Sequence, residues 1–191
     1  MGTNYWAAPA VFLIDTLFSL YIFALMMRFL LQWCGADYQN PLSQFLIRIT
    51  HPPLRLLRQY IPSVGPLDTA AILLMLVLQG LSGYLIALIQ GAALSFPALI
   101  IWAIIQLLEL LLNIYFYAII IRTLLSWIGP THYNPALSLL YSLTEPLLQA
   151  SRRLLPVMGG IDLSPIVPLI GIQMARMLLL PPLQQLALLW N

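Results

Sequence analysis

The amino-acid sequence contains the same unit twice, and this repeat constrains the fold more than any other feature. When the chain is shifted by 94 positions, the separation of Arg28 and Arg122, its two halves align without a gap. The aligned pairs include chemically distinctive residues: Arg28/Arg122, Trp33/Trp127, Asn40/Asn134, Pro41/Pro135, Arg58/Arg152 and Asp68/Asp162. Because each repeat must fold in the same way as its partner, we expect two equivalent halves, residues 1–94 and 95–191.

The composition places both halves in a membrane. Only 7% of the residues are charged and 61% are apolar, whereas a soluble domain carries about 25% charged residues. The formal net charge is +2, and no basic stretch is interleaved with aromatic residues, which argues against nucleic-acid binding. The single cysteine, Cys34, excludes an internal disulfide and is expected to be a small packed thiol.

Four stretches are long and apolar enough to cross a bilayer, which takes about 20 residues. They are approximately residues 9–31, 69–90, 97–121 and 164–190. Since backbone groups in lipid must bond within their own segment, these stretches are predicted to be transmembrane helices. The predicted fold class is therefore an all-α integral membrane protein with four transmembrane helices.

The two long connections carry apolar residues at helical spacing, with arginines on the other side. They include residues 41–61 and 135–155, which are too short to span and too apolar for water. We expect amphipathic helices lying in the membrane interface, with a shallow re-entrant segment as the alternative. Asn-Pro pairs start them, and each is predicted to break and restart at a threonine–proline signal, Thr50/Pro52 and Thr144/Pro146. Asp68 and Asp162 are placed to cap the following transmembrane helices.

Arginines determine the predicted orientation. Seven of the eight occur in the long connections or just before them, and the other connections and the termini carry no Lys or Arg. The positive-inside rule therefore places both long connections in the cytoplasm and both termini outside. Each half has two spans, so the halves form a parallel repeat. The arginines of the connections are expected to contact anionic lipid headgroups or an acidic cytoplasmic partner: Arg48, Arg55, Arg58, Arg152 and Arg153.

Three charged residues lie in the interior of the predicted spans, whereas Arg28 lies near the end of its span. Asp15 and Glu109 each precede a repeated arginine by thirteen residues, which places them roughly 20 Å above it at 1.5 Å per residue. Arg176, on another helix, lies at about the same depth. We expect Arg176 to pair with Glu109 or Asp15 between helices. Such a pair would either lock the bundle or lie in an ion or proton path; the alternative is that these side chains snorkel to the outer interface.

Two further pairs of repeated residues have interpretations in a membrane. Arg28 and Arg122 either snorkel to the cytoplasmic headgroups or fix the interfacial helix, through the Asn-Pro turn or through Asp68 and Asp162. Trp33 and Trp127 lie where an interfacial aromatic belt is expected.

Motifs for catalysis and for metal binding are missing from the sequence. It contains no P-loop, no GxGxxG and no GxSxG. His51 and His132 do not align across the repeat and have no acidic or Cys neighbours at metal-binding spacing. The sequence thus predicts neither an enzyme nor a cofactor or metal site.

The repeated pattern resembles the YggT family of small bacterial membrane proteins. The second copy is especially similar, with Arg122-Thr-Leu-Leu-Ser-Trp127, Asn134-Pro135, Leu143-Thr-Glu-Pro-Leu-Leu148, Arg152-Arg-Leu-Leu-Pro156 and Gly159-Gly-Ile-Asp-Leu-Ser-Pro165. The first copy departs from it at His51, where the second has Glu145. The resemblance implies a bacterial inner-membrane protein and an association with osmotic-stress tolerance and ion uptake or with cell division. It implies no catalytic or binding residues.

Two functions are compatible with these features. The first is a non-enzymatic scaffold or assembly factor, supported by the repeated arginine-bearing helices and linked to osmotic-stress adaptation or cell-envelope processes. The alternative is a small channel or transport-related protein in potassium or ion homeostasis, supported by the Asp15, Glu109 and Arg176 layer. Polar residues in the spans are too few for a monomeric pore, although a homo-oligomer could share them. The scaffold is the preferred hypothesis.

Overall fold

The structure, a computed structural model, describes residues 4–65, 67–92, 95–128, 134–153, 162 and 164–190. They form six helices: α1 Asn4–Trp33, α2 Pro41–Leu57, α3 Thr69–Gln90, α4 Phe96–Ile128, α5 Pro135–Arg152 and α6 Ile166–Leu189. Within these residues, four helices are long and apolar enough to cross a membrane: α1, α3, α4 and α6. The predicted all-helical fold with four spans is confirmed.

The four long helices pack in chain order. α1 packs on α3, α3 on α4 and α4 on α6. The amphipathic helices lie at one end of this row, where α2 contacts α1 and α3, and α5 contacts α4 and α6. We call this the arginine end, because it carries Arg28, Arg122 and the arginines of α2 and α5. The opposite end, where α3 turns into α4, is called the hairpin end.

Glycines allow α3 and α4 to pack closely. A Cβ atom added at Gly83 would lie 2.5 Å from the Trp102 ring, and one at Gly80 would lie 3.1 Å from Leu99 Cδ2. Small residues at such positions are typical of helix interfaces in membranes, where close backbone approach replaces the hydrophobic effect. At the hairpin end, Gly91 adopts a left-handed φ of 70° and terminates α3.

The asparagine–proline pairs begin α2 and α5 as predicted. Asn40 accepts a hydrogen bond from the backbone N–H of Leu42, and Asn134 accepts one from Ala136, both at 2.9 Å. A proline follows each cap at the start of the helix, where its missing N–H removes no helical bond. The same local chemistry therefore starts both amphipathic helices.

The aspartates that precede α3 and α6 behave differently from each other. Asp68 caps α3 by accepting a hydrogen bond from the backbone N–H of Ala71, as predicted. The expected cap by Asp162 is wrong: its carboxylate accepts from the N–H of Ser164, and α6 begins only at Ile166. The residue aligned with Ala71 is Pro165, which has no N–H to donate.

The predicted break in the amphipathic helices is also wrong. α2 continues through Pro52 and Pro53, and α5 continues through Pro146. A proline leaves the carbonyl four residues earlier without its helical donor. For Pro53 this is the carbonyl of Ile49, and the Tyr21 hydroxyl of α1 donates to it at 3.3 Å. The bundle thus supplies a hydrogen bond that the interrupted helix lacks.

Candidate functional site

An arginine–threonine contact occurs at equivalent positions in both halves. Arg28 Nη1 donates to Thr50 Oγ1 at 2.8 Å, and Arg122 Nη1 donates to Thr144 Oγ1 at 2.8 Å. Each arginine also reaches a backbone carbonyl three residues before its threonine, at 3.5 and 3.4 Å. Both threonines are fully buried. These contacts fix α2 on α1 and α5 on α4.

The predicted partners of the repeated arginines were therefore wrong, although their role in fixing the helices holds. Neither the Asn-Pro turns nor the aspartates accept from Arg28 or Arg122; the threonines do. The signal for this partner was available, since Thr50 and Thr144 align across the repeat. The threonine hydroxyls do not break these helices; they donate to carbonyls of their own helices.

A second repeated contact ties each amphipathic helix to the next span. Arg58 forms an ion pair with Asp68, and Arg152 Nε lies 3.5 Å from Asp162 Oδ2. The carboxylate of Asp68 is buried, with 3% of its side chain exposed. Burial raises the pKa of Asp162, but hydrogen bonds from Ser164 and the charge of Arg152 outweigh it and lower that pKa overall. These pairs were not predicted, although both the arginines and the aspartates align across the repeat.

One additional acid joins the two arginines of the second half. The Glu145 carboxylate accepts from Arg122 Nη2 and lies 3.2 Å from Arg152 Nη1. The hydrogen bond from Arg122 is the main reason that the pKa of Glu145 is lowered. Arg122 also stacks over the Tyr141 ring, 4.5 Å from its centroid. His51 occupies the aligned position in the first half.

The first half has a cavity beside its own pair of arginines. The cavity has a volume of about 500 Å³ and is lined by Arg28, Arg58 and Asp68 together with polar side chains of the neighbouring segments. Its other lining residues that can donate hydrogen bonds are Gln32, Tyr38 and Ser63.

The two halves also contact each other at the arginine end. Asn40 Nδ2 donates to the backbone carbonyl of Pro135 at 2.8 Å, which joins the start of α2 to the start of α5. Cys34 Sγ lies 3.8 Å from the Tyr115 hydroxyl of α4 and 3.9 Å from the Leu143 carbonyl of α5. The amphipathic helices and their spans thus form one connected surface.

Five arginines on this surface are exposed, and two of them, Arg58 and Arg152, pair with carboxylates. The other three are Arg48, Arg55 and Arg153. In the part of the chain that the structure describes, none of them lies within 4 Å of a carboxylate. Trp33 is 51% exposed at the same end, and the side chain of Trp127 lies outside the described residues.

Polar side chains of the spans meet in a second cavity, toward the hairpin end. It has a volume of about 430 Å³. α1, α3 and α4 contribute the polar residues that line it: Asp15, Ser19, Gln79, Gln106, Glu109 and Asn113. Asp15 is exposed and Glu109 is half-buried. The structure therefore brings the two predicted acids to one cavity.

The predicted ion pair of Arg176 is wrong. Arg176 Nη2 donates to Asn113 Oδ1 at 2.6 Å, and its guanidinium lies 5.9 Å from the centre of the Phe116 ring. Among the described residues, no carboxylate lies within 4 Å of Arg176, and its buried Nε has no hydrogen-bond partner. The helical position explains the difference, because α6 packs on α4 and places Arg176 against Asn113 and Phe116.

Apolar side chains close the polar cavity toward the arginine end. Ile22, Leu25, Met75 and Ile114 are buried there in a common hydrophobic cluster. An adjoining cavity of about 470 Å³ lies among α1, α2, α4 and α5. It shares Leu110 and Asn113 with the polar cavity and is lined mainly by apolar side chains. In the described ranges, no three His, Cys, Asp or Glu side chains are placed to hold a metal ion.

Comparison with known proteins gives a family for this fold. The family model CCB3/YggT matches the chain twice, over residues 7–89 and 101–183, once in each half. The chain belongs to the CCB3/YggT family. An uncharacterised protein of Pseudomonas aeruginosa is 40% identical over 173 residues, covering 90% of this chain and 88% of that protein.

Other relatives of this CCB3/YggT protein also match it over most of both chains. The uncharacterised protein of the proC 3′ region of Vibrio alginolyticus is 38% identical, over 88% of this chain and 91% of its own length. The uncharacterised protein YggT of Escherichia coli is 34% identical, over 82% of this chain and 81% of its own. No solved structure matches the chain.

Proposed function

We propose that this YggT protein is a non-enzymatic scaffold of the bacterial inner membrane. In this proposal α2 and α5 lie in the cytoplasmic interface and both termini are periplasmic. The two helices form a platform that contacts anionic lipid headgroups and holds an acidic cytoplasmic or membrane protein partner. The process served is osmotic-stress adaptation or another function of the cell envelope, as the family resemblance implies.

The observation that supports this proposal is the fixed geometry of the arginine end. Buried contacts from Arg28 and Arg122 hold α2 and α5, and Asn40 joins the two helices. Exposed arginines remain on the surface that these contacts fix. A rigid support limits the conformational freedom of the long cationic side chains that it carries. The platform therefore loses less conformational entropy when a partner binds. A platform of this kind suits recognition of acidic groups.

The polar cavity favours the second candidate, a channel or transport-related protein, since it contains two acids and four other polar side chains. A conducting path, however, requires a polar lining from one side of the membrane to the other. The apolar cluster around Leu25 and Met75 interrupts that lining on the way to the arginine end. A path shared between subunits of a homo-oligomer would have to run outside this cluster.

Paired substitutions at the two ends separate the candidates. A strain lacking the protein is complemented with either Arg48→Gln/Arg55→Gln or Asp15→Asn/Glu109→Gln and challenged with an increase in medium osmolarity. The scaffold proposal expects growth to fail with the arginine pair and to be restored with the acid pair, at equal amounts of protein in the membrane. The opposite pattern would refute it.

Ion flux provides an independent test. Purified protein is incorporated into liposomes and rubidium uptake is measured with and without an osmotic gradient. The scaffold proposal expects uptake equal to that of empty liposomes. Uptake that Glu109→Gln and Arg176→Gln abolish in folded protein would establish the channel instead.

A further inference from the structure

The two halves differ in a single acid between otherwise equivalent arginines. In the second half, Glu145 bridges Arg122 and Arg152, and Asp162 pairs with Arg152. Two cations there face two carboxylates. In the first half, the aligned arginines face only one carboxylate, because His51 stands where the second half has Glu145.

The first half therefore has unused donor capacity. The one acid that faces these arginines, Asp68, is already paired with Arg58. Arg28 Nη1 donates hydrogen bonds to Thr50 Oγ1 and to the backbone carbonyl of Ile47. Among the described residues, its Nη2, the atom that in Arg122 donates to Glu145, has no hydrogen-bond partner. A group with negative charge is missing from the position that a carboxylate fills in the other half.

The space for such a group is present. The cavity of about 500 Å³ is lined by Arg28 and Arg58, which leaves room for a ligand, since small-molecule sites occupy about 300–1,000 Å³. Tyr38, Ser63 and Gln32 add hydrogen-bond donors at its wall. The cavity lies where α1 ends and α3 begins, with Arg58 partly exposed to the outside.

We propose that this cavity is a binding site for a phosphate group, which bridges Arg28 and Arg58 as Glu145 bridges Arg122 and Arg152. The planar donors of the guanidinium groups match the oxygens of a phosphate. The group belongs either to the headgroup of an anionic phospholipid or to a soluble phosphate compound. The site does not depend on the scaffold proposal, since a channel with the same arginine end would bind phosphate equally.

The test uses a substitution that adds the missing acid. His51 is exposed and is not among the residues that line the cavity. A glutamate at this position is aligned with Glu145, so we expect His51→Glu to reach Arg28 as Glu145 reaches Arg122, with both arginines intact. Gln44→Glu is the matched control, because it adds the same charge at an exposed position of the same helix. Gln44 neither lines the cavity nor aligns with Glu145. Arg58→Lys keeps the positive charge beside Asp68 and removes the planar donors. It serves as a second variant if His51→Glu does not fold.

Two probes distinguish the sources of phosphate. Retention of phosphatidylglycerol is measured by native mass spectrometry of protein released from nanodiscs of phosphatidylglycerol and phosphatidylcholine. Inorganic phosphate is titrated into detergent-purified, delipidated protein, with the shift in melting temperature as the readout. We expect His51→Glu and Arg58→Lys to weaken binding about tenfold or more, the loss of one good charge-assisted contact. Gln44→Glu should leave it unchanged.

Each outcome decides the proposal. Binding of phosphatidylglycerol alone, with this pattern of variants, identifies a lipid site, and binding of inorganic phosphate with the same pattern identifies a soluble ligand. Equal weakening by His51→Glu and Gln44→Glu would show general attraction to a positive surface and overturn the site. So would binding that none of the variants changes, or no binding of either probe to the folded wild-type protein.

Discussion

Removing the repeated arginine should destabilise the second half more than the first. Arg122 is 6% exposed and contacts Thr144, Glu145 and the Tyr141 ring. Arg28 has only the equivalent threonine bond and a longer bond to a carbonyl. The substitutions Arg122→Gln and Arg28→Gln therefore remove different numbers of contacts from otherwise similar positions.

The contacts set the expected magnitudes. A hydrogen bond to a charged group is worth about 1.5–3 kcal/mol, which gives roughly 1.5–2 kcal/mol for Arg28→Gln. Arg122→Gln loses in addition the contact with Tyr141, about 0.5–1 kcal/mol, and the bond to Glu145. Glu145 is 44% exposed, so water screens that pair and it adds only about 0.5–1 kcal/mol. We expect a total near 3 kcal/mol for Arg122→Gln.

Reversible unfolding in mixed micelles, titrated with sodium dodecyl sulfate and followed by circular dichroism, measures the two free energies. Arg48→Gln is the control, since an exposed arginine without an ion-pair partner should change the unfolding free energy by less than about 0.5 kcal/mol. Equal losses for Arg122→Gln and Arg28→Gln would refute the reasoning that Glu145 and Tyr141 strengthen the second half. A larger loss for Arg28→Gln would contradict it directly.

Three further substitutions test other contacts by the same unfolding assay. Gly83→Ala should cost about 1–3 kcal/mol, because its Cβ would overlap the Trp102 ring, and Trp102→Leu should relieve this loss; no relief would place the cause elsewhere. The pKa of Glu145 is lowered in the folded protein, so its contribution is present above its unfolded value of about 4.3 and is lost as the pH falls through the lower folded value. Stability should thus fall more steeply on acidification in the wild type than in Glu145→Gln, and parallel curves would exclude this contribution. Arg176→Met should be neutral or stabilising, whereas Asn113→Leu leaves the guanidinium without its amide partner and should cost about 1–3 kcal/mol; a strongly destabilising Arg176→Met would show that the charge itself is needed.

Local chemistry explains which parts of the fold could be predicted from the sequence. Spans follow from length and hydropathy, and α3 begins and ends where the sequence indicated, at Thr69 and Gln90. Asparagine caps depend only on a side chain and the N–H two residues later. The repeat added a second, partly independent example of each pattern. These features need no knowledge of which helices are neighbours.

Apart from the Asp162 cap, which fails because Pro165 has no N–H, the errors concern contacts between helices. Sequence spacing gives the depth of Arg176 in the membrane, but it does not give the direction in which the side chain points around its helix. Packing of α6 on α4 places that side chain at Asn113 instead of at the acids. The helix break predicted at the prolines failed for a similar reason. A carbonyl freed by Pro53 accepts a hydrogen bond from Tyr21, which is distant in sequence and belongs to a different helix.

The positions where the repeats differ carry more functional information than the positions where they agree. Arg28 and Arg122 hold their helices by the same contact, so that contact explains how each half is built. In the second half, Glu145 pairs with Arg122 and Arg152 and neutralises their charge within the protein. In the first half, His51 takes the place of Glu145, and the corresponding arginines line a cavity. A difference that leaves charge unbalanced beside open space must be compensated from outside the chain, by solvent or by a ligand. Since the arginines themselves are identical, the first half is the one from which binding of an anion is expected.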